Sequence, residues 1–551
     1  MFKPKLFSII KHRQKELPKQ QLLKDIIAGL LVGFIALPLS IALAIASGVS
    51  PEKGLATAII AGMLISLFGG SRVQIGGPTG AFVIIVYSIV QKYGLEGLTT
   101  ATIIGGLILI IFGVLKFGTA IKYIPYPITT GFTSGIAVVL FTSQVKDFLG
   151  LNNLEIPVEF LAKWFFYLKN LTAVNNQSVL LGSLALLIMI FWPKFNKIIP
   201  GSLLALIGCT LLAKIFNLNV PTIGSSFGEM KNIFFLPKIS LNLNLIIKLI
   251  PSGMVIALLG GVESLLSAVV ADGMIGKKHK SNIELIAQGL GNIGSALFGG
   301  IPATGAIART SANIFYGGRT PVSGITHSLT LLVISLFFFP LVKFIPMTVL
   351  AAILFIVAKN MGEWKNFREL FKAPLSDIFI LLTTFLLTVF VDLVYAIGIG
   401  MFLAALAFMK RMADITEVNI INDEVFNDHD KNNIDKKKFS EQILVYEING
   451  PFFFGAANTF VDEIEKIDNF SDFKVLVLRL RNVPVMDATA YYALLKIFKK
   501  CSAHKIQLIL SQVQEQPLKL LQKQDFVNLL GKEYICENID KALKKAESIL
   551  V

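Results

Sequence analysis

Charged residues are scarce in this chain, making up 16% of 551 positions against 54% hydrophobic types. A water-soluble globular protein carries about 25% charged residues, so life wholly in water is excluded. The deficit is local. Acids are rare between Ile26 and Met409, and lysine–acid mixtures return after Asp414. Two solvents are implied, hydrocarbon for the longer part and water for the tail. Cysteine is rare too: Cys209, Cys501 and Cys536 show no paired spacing, which argues against a disulfide framework or a metal site. The five histidines show no nucleophile–base or ligand spacing either. Neither an enzyme nor a cofactor is expected. The net charge of +15 does not indicate a nucleic-acid partner, because many of the cations sit in short loops between apolar runs. Residues 1–20, MFKPKLFSIIKHRQKELPKQ, are basic and lack a long apolar core or a small-residue cleavage site. They read as a cytoplasmic N-terminal segment with a surface helix, and not as a cleaved signal.

What the chain does have is apolar runs. A bilayer-spanning helix needs roughly 20 mostly apolar residues. Candidate spans lie near 26–47, 54–70, 98–116, 124–145, 178–193, 200–216, 246–270, 322–342, 344–359, 375–392 and 393–411. Shorter, glycine-interrupted runs lie at 78–92, 284–299 and 302–315. The total is about fourteen, and an even count puts both termini on one side. With that side cytoplasmic, the inside loops hold Arg72, Lys116, Lys122, Lys194, Lys197, Lys277, Lys278, Lys280, Arg319, Lys359, Lys365, Arg368 and Lys372. That bias follows the positive-inside rule. An integral protein of a bacterial inner membrane with cytoplasmic termini is expected, embedded in membrane lipid. The transmembrane domain is read as 21–411.

An internal repeat is the most specific signal. Ala61–Phe82 (AGMLISLFGGSRVQIGGPTGAF) resembles Gln288–Ile307 (QGLGNIGSALFGGIPATGAI), each with LFGG followed by proline, threonine, glycine and alanine. The copies lie about 230 residues apart with an odd number of spans between them, so the second is inverted. Inverted, glycine- and proline-broken spans point to a transporter's midplane site. One such segment alone would be read as close helix packing.

Pro78 and Pro302 are expected in the first turns of two half-helices, whose N-termini would present free amides and positive dipole ends to one point. That describes an anion site built from backbone, with Thr79 and Thr304 adding hydroxyls. Two ionisable groups fall within spans. Glu263 has Ser267 one turn on, on the same face, and Arg309 is read as two turns into the second half-helix. Intramembrane charge is costly and points to function: Arg309 would add positive potential at the anion, and Glu263 would carry the coupling ion. A structural Glu263–Arg309 bridge is the competing reading. Asp25, Asp272 and Asp392 lie at span edges and are given no role.

After a polar linker at 412–438 the pattern changes period. QILVYEING, KVLVLRL and KIQLILSQV read as strands, alternating with helical ANTFVDEIEKI, ATAYYALLKIFKKC, PLKLLQKQ and NIDKALKKAESIL. Residues 439–551 are therefore expected to form a small α/β domain. Asp487 and Thr489 open a helix there, where both residue types cap well.

These residues resemble the sulfate permease (SulP) family of anion transporters over nearly the whole chain. The membrane part does so through ALPLSIALAIASG, GGPTGAF, GGVESLLSA and GIPATGAIARTSAN. The tail is similar to its sulfate-transporter/anti-sigma-antagonist (STAS) domain through EINGPFFFGAAN and VPVMDATAYYALL. The resemblance implies a polytopic α-helical protein of seven-plus-seven inverted repeats, with core and gate domains, acting as a homodimer by an elevator-like movement. It implies a small-anion site between the half-helices, at Pro78, Thr79, Gly80, Ala81 and Phe82 and at Ala303, Thr304, Gly305, Ala306, Ile307 and Ala308, flanked by the first and eighth spans and joined by Arg309 on the charge reading above. Where the sodium-coupled bicarbonate branch has an aspartate and two hydroxyl residues, this chain has Glu263, Ser267 and Ile307. That change favours a proton over sodium. The tail's aspartate–serine–serine/threonine–glycine turn is here Asp487–Ala488–Thr489–Ala490, which argues against control by phosphorylation. The expected function is secondary active, proton-coupled uptake of sulfate or bicarbonate. The alternatives are a C4-dicarboxylate carrier, a sodium symporter, an uncoupled exchanger or channel, and a non-transporting sensor.

Overall fold

Backbone groups in hydrocarbon have no water to bond, so the apolar runs must satisfy them internally and fold as helices. The computed structural model describes residues 4–11, 18–119, 125–151, 157, 159–196, 199–228, 237, 242–391, 393–414, 417–420, 440–467 and 470–550. Asp392, Lys122 and Lys197 lie outside these. The chain divides into two compact units, Met1–Phe402 and Leu403–Val551.

The first unit runs α1 (Lys5–Lys11), α2 (Lys19–Ala46), α3 (Pro51–Phe68), β1 (Gly76–Gly77), α4 (Val83–Val114), α5 (Tyr126–Leu149), α6 (Phe160–Lys169), α7 (Asn176–Phe195), α8 (Gly201–Ile215) and α9 (Ile223–Phe227). It continues α10 (Leu243–Ile275), α11 (Ser281–Leu297), β2 (Thr304–Gly305), α12 (Ile307–Phe315), α13 (Val322–Val342), α14 (Met347–Met361), α15 (Trp364–Glu369) and α16 (Leu375–Phe390), with α17 (Leu393–Asp414) crossing the division. Among the described residues, eight helices are long and apolar enough to cross a bilayer by length and composition. Gly201–Ile215, Val322–Phe338 and Leu375–Phe390 are shorter apolar ones. The separate runs at 78–92 and 98–116 share helix α4, divided at Gly94, whose φ of 66° and ψ of −168° are not helical. A side chain there would be strained, and glycine adopts that φ readily. Small residues bring α4 close to its neighbours: a Cβ on Gly105 would lie 3.1 Å from Gly253 O, and one on Gly106 2.8 Å from Gly289 O. Without a hydrophobic drive between helices in lipid, such close approach supplies the packing.

In the middle of this unit, β1 and β2 pair antiparallel, Gly76 with Gly305 and Gly77 with Thr304. Two-residue strands deep in a helical unit are tolerated because the pairing satisfies their peptides.

The second unit is a five-stranded sheet, β3 (Glu417–Ile420), β4 (Ile443–Asn449), β5 (Val475–Asn482), β6 (Gln507–Ser511) and β7 (Ile535–Cys536), in that spatial order. Its helices are α18 (Phe454–Glu465), α19 (Ala488–Ala503), α20 (Glu515–Lys523), α21 (Phe526–Leu530) and α22 (Ile539–Leu550). The β4–β7 pairs are parallel. Parallel strands are covered on both faces, and alternation divides them: Leu444, Tyr446, Leu476 and Leu478 join the larger core, while Ile443, Val445, Val475 and Val477 pack with Ala542, Leu543 and Ala546 of α22. One expectation is corrected here. The segment 412–438 is not all linker, because Glu417–Ile420 pairs antiparallel with Tyr446–Asn449. The open edge of β4 offers unpaired peptides, and so short a strand leaves little trace in sequence. The rest of the linker, 415–416 and 421–438, lies outside the described residues.

Candidate functional site

The β1–β2 crossing fixes where two helices begin. Thr79 precedes a 3-10 turn, Gly80–Phe82, that runs directly into α4. Ala306 precedes α12. No side chain caps either N-terminus, and the amides of Gly80 and Ala81, and of Ile307 and Ala308, donate to no protein group among the described residues. Free amides at helix starts are an anion site in form, with the dipole adding positive potential.

Arg309 stands in the first turn of α12 and is 4% exposed. Its Nη2 donates to the Pro78 carbonyl, tying the two segments together. Its Nη1 is buried with no protein acceptor, and a buried unpaired donor is costly unless another group takes it. Gly77 lies directly against the guanidinium, with φ of 154°, and any Cβ there would strike Nη1. Glu263 of α10 does not bridge to Arg309 among the described residues. Its Oε2 accepts from Thr79 Oγ1 at 2.9 Å.

The expectations for this site are corrected in three respects. Pro78 and Pro302 were expected in first helical turns; both lie upstream, in the chain that leads to the helix starts. The segments pair as strands before they coil, and pairing needs that extended stretch. Arg309 is one turn into its helix, not two, because α12 starts only at Ile307. Most of the second segment's expected donors are also already committed. The amide of Ala303 donates to Asn292 Oδ1 at 2.9 Å, that of Gly305 to Ser264 Oγ at 3.0 Å, and that of Ala306 to Ile75 O at 2.9 Å. The Thr304 hydroxyl, fully buried, meets Ser264 Oγ at 2.7 Å. The open amides on this side are those of Ile307 and Ala308, at the far end of the expected stretch, and their side chains are exposed.

Ser267 is fully buried and donates to Thr310 Oγ1 at 3.3 Å, while Thr310 Oγ1 accepts from Ile75 N at 3.1 Å. Sequence reasoning passed over Thr310, Ser264, Asn292 and Gln74. Asn292 also donates to Ala303 O at 2.8 Å, gripping both sides of that residue, and Gln74 Nε2 reaches Ser264 O at 2.9 Å. For Ser264, Asn292 and Thr310 the available signal was a lone polar residue within a membrane helix; Gln74 lies in the non-helical chain ahead of β1. Asp25, given no role, is fully buried and accepts from Arg319 N, Thr320 N and Thr320 Oγ1 ahead of α13. Glu284 likewise accepts from Gly70 N and Ser71 N after α3. Both anchor backbone. In the second unit, Asp487 caps α19 through Ala490 N at 2.8 Å.

Free helix N-termini beside an arginine, in a chain of bilayer-length apolar helices, define an integral membrane protein of the anion-transporter class. Comparison with known proteins gives the family. Residues 22–384 match the Sulfate permease family and residues 436–546 the STAS domain, and the chain belongs to the sulfate permease family. YvdB of Bacillus subtilis, provisionally named a sulfate transporter, is 41% identical over 95% of this chain and 97% of its own. The bicarbonate transporter BicA of Picosynechococcus is 31% identical over 95% of this chain and 94% of its own. The solved transmembrane domain of a cyanobacterial BicA superposes with a TM-score of 0.63 at 32% identity, covering 69% of this chain and 99% of that one. The whole of SLC26A9 superposes with a TM-score of 0.86 at 18% identity, over 98% and 92% of the two chains, which speaks to fold alone. The family's members are transporters, not enzymes.

Proposed function

We propose that this chain is a proton-coupled importer of sulfate or bicarbonate, binding its anion between the starts of the Gly80–Phe82 turn and α12 and coupling through Glu263. The observation that carries the reading is the division of partners: Arg309 is held by the Pro78 carbonyl, while Glu263 is held by Thr79. Ionised Glu263 opposes the positive potential that the helix ends and Arg309 create. Protonation removes that opposition, so the anion binds more tightly when Glu263 carries a proton. By linkage, the anion raises proton affinity equally. Proton and anion then travel together, and an inward proton gradient drives uptake. Sodium fits less well, since Ser267 is engaged with Thr310 and Ile307 offers no oxygen side chain. We further propose seven-plus-seven inverted repeats, core and gate domains, an elevator-like movement, a homodimer, and an inner-membrane location with cytoplasmic termini. The repeated motifs and the β1–β2 crossing between them support the inverted pair.

The substrate is drawn from the two relatives' names, one for sulfate and one for bicarbonate. Uptake of labelled sulfate, bicarbonate and fumarate into proteoliposomes, under separately imposed proton and sodium gradients, tests the proposal. Sulfate or bicarbonate should accumulate with the proton gradient alone. Accumulation that follows sodium, or fumarate as the preferred substrate, would overturn it.

A further inference from the structure

Between α2, α8 and α13 lies an apolar cavity of about 780 Å³ that the anion site does not use. Leu30 and Phe34 of α2, Ile207 and Leu211 of α8, and Val333 and Phe338 of α13 form its walls. These helices lie among the apolar segments, so the cavity faces hydrocarbon and not water. Lys214, at the end of α8, is the one charged lining residue among the described residues. Its Nζ stands 4.8 Å from the centroid of the Phe344 ring, and Lys343 Nζ stands 5.2 Å from the same ring. Phe344 also lines the cavity.

The mouth is built. Gly224 N of α9 donates to Lys343 O at 2.8 Å, Ile223 N to Ile345 O at 2.9 Å, and Met347 N to Pro221 O at 2.9 Å. Those bonds hold the Lys343–Ile345 turn beside the α8 terminus. Two exposed ammonium groups thus converge on one ring, and no carboxylate pairs with either among the described residues. Like charges brought together repel unless an anion sits between them. An apolar cavity with two cations gathered on one of its lining rings has the lining and charge that suit one ligand class.

We propose that this cavity binds a membrane phospholipid with an anionic headgroup, its acyl chain between α2, α8 and α13 and its phosphate between Lys214 and Lys343. The occupant is a lipid of the surrounding bilayer, held by chain burial and headgroup charge together. Each lysine near an anionic lipid contributes on the order of a fivefold change in affinity.

The test uses the full-length purified chain in nanodiscs of mixed phosphatidylglycerol and phosphatidylcholine, read by native mass spectrometry of the released protein. The wild type should retain phosphatidylglycerol in preference to phosphatidylcholine. The paired substitution Lys214→Gln with Lys343→Gln should reduce that preference by roughly 30-fold while leaving chain binding possible. Ile207→Trp, which fills the slot from an exposed position, should reduce retention of both lipids. Equal retention of the two lipids by the wild type, or an unchanged preference in the paired lysine variant, would overturn the proposal. So would cross-linking between copies through Ile207→Cys in a chain with Cys209, Cys501 and Cys536 replaced, which would place a second subunit there.

Discussion

The two repeated segments share a motif and differ in use. The first, Gly76–Phe82, gives its threonine hydroxyl to Glu263 and its Pro78 carbonyl to Arg309. It is also covered: a Cβ on Gly80 would come 3.0 Å from Met361 Sδ of α14. The second, Ala303–Arg309, is clamped from behind by Asn292 and Ser264, and exposes Ile307 and Ala308 at the start of its helix. One copy is linked to the titratable group and the other carries the fixed charge. The difference teaches that a matched sequence motif fixes a backbone path, while the neighbours in α10 and α11 decide what each copy does.

Each side of that comparison can be broken separately. Removing the fixed charge should do most: Arg309→Ala should lower uptake by about 100-fold or more, since a buried charged hydrogen bond of this kind is worth 2–5 kcal/mol. Arg309→Lys should restore little, because a point charge lacks the planar fork. Uptake assays on protein matched for folded yield would show it. Gly77→Ala comes next. Its methyl would displace the guanidinium and occupy an unfavourable φ, and a loss of roughly tenfold or more is expected from strain of about 1–3 kcal/mol. Thr79→Val acts on the titrating side. It removes the donor to Glu263 and should change the pH profile of uptake. An unshifted profile would break the assignment of the first segment.

A smaller effect is expected on the second segment's clamp. Asn292→Ala leaves both polar atoms of Ala303 unpaired and should cost about 1–3 kcal/mol, visible as a lower thermal midpoint with the pH profile retained. The smallest lies far from the crossing. Cys501 is buried on α19 and burial pushes its thiol up to about 12. A maleimide should therefore leave it unmodified at pH 8 in the folded chain, as mass analysis would show.

Hydrophobic run length made the apolar helices visible in sequence, and short apolar runs set among polar stretches did the same for β4, β5 and β6. The β1–β2 pairing was not visible. Two-residue strands carry no period, and Gly76 and Gly305 are far apart in the chain. The helix starts were misplaced for a related reason: β2 follows Pro302, and beyond Pro78 the chain stays extended through Thr79. Glu263 and Arg309 stood out because charge is rare in these segments. Ser264, Asn292 and Thr310 did not, because a single polar residue in an apolar helix looks the same whether it faces a site or a neighbour. The strand at Glu417–Ile420 was hidden by its shortness and by the polar stretch around it.

The central claim is that Glu263 exchanges a proton with each anion moved. Its most direct test is proton flux in proteoliposomes holding a pH-sensitive dye, with sulfate or bicarbonate uptake measured in the same vesicles. Lumenal acidification in step with sulfate entry is predicted for the wild type, and none for Glu263→Gln. Anion entry without proton movement in the wild type, or unchanged acidification in Glu263→Gln, would contradict the account.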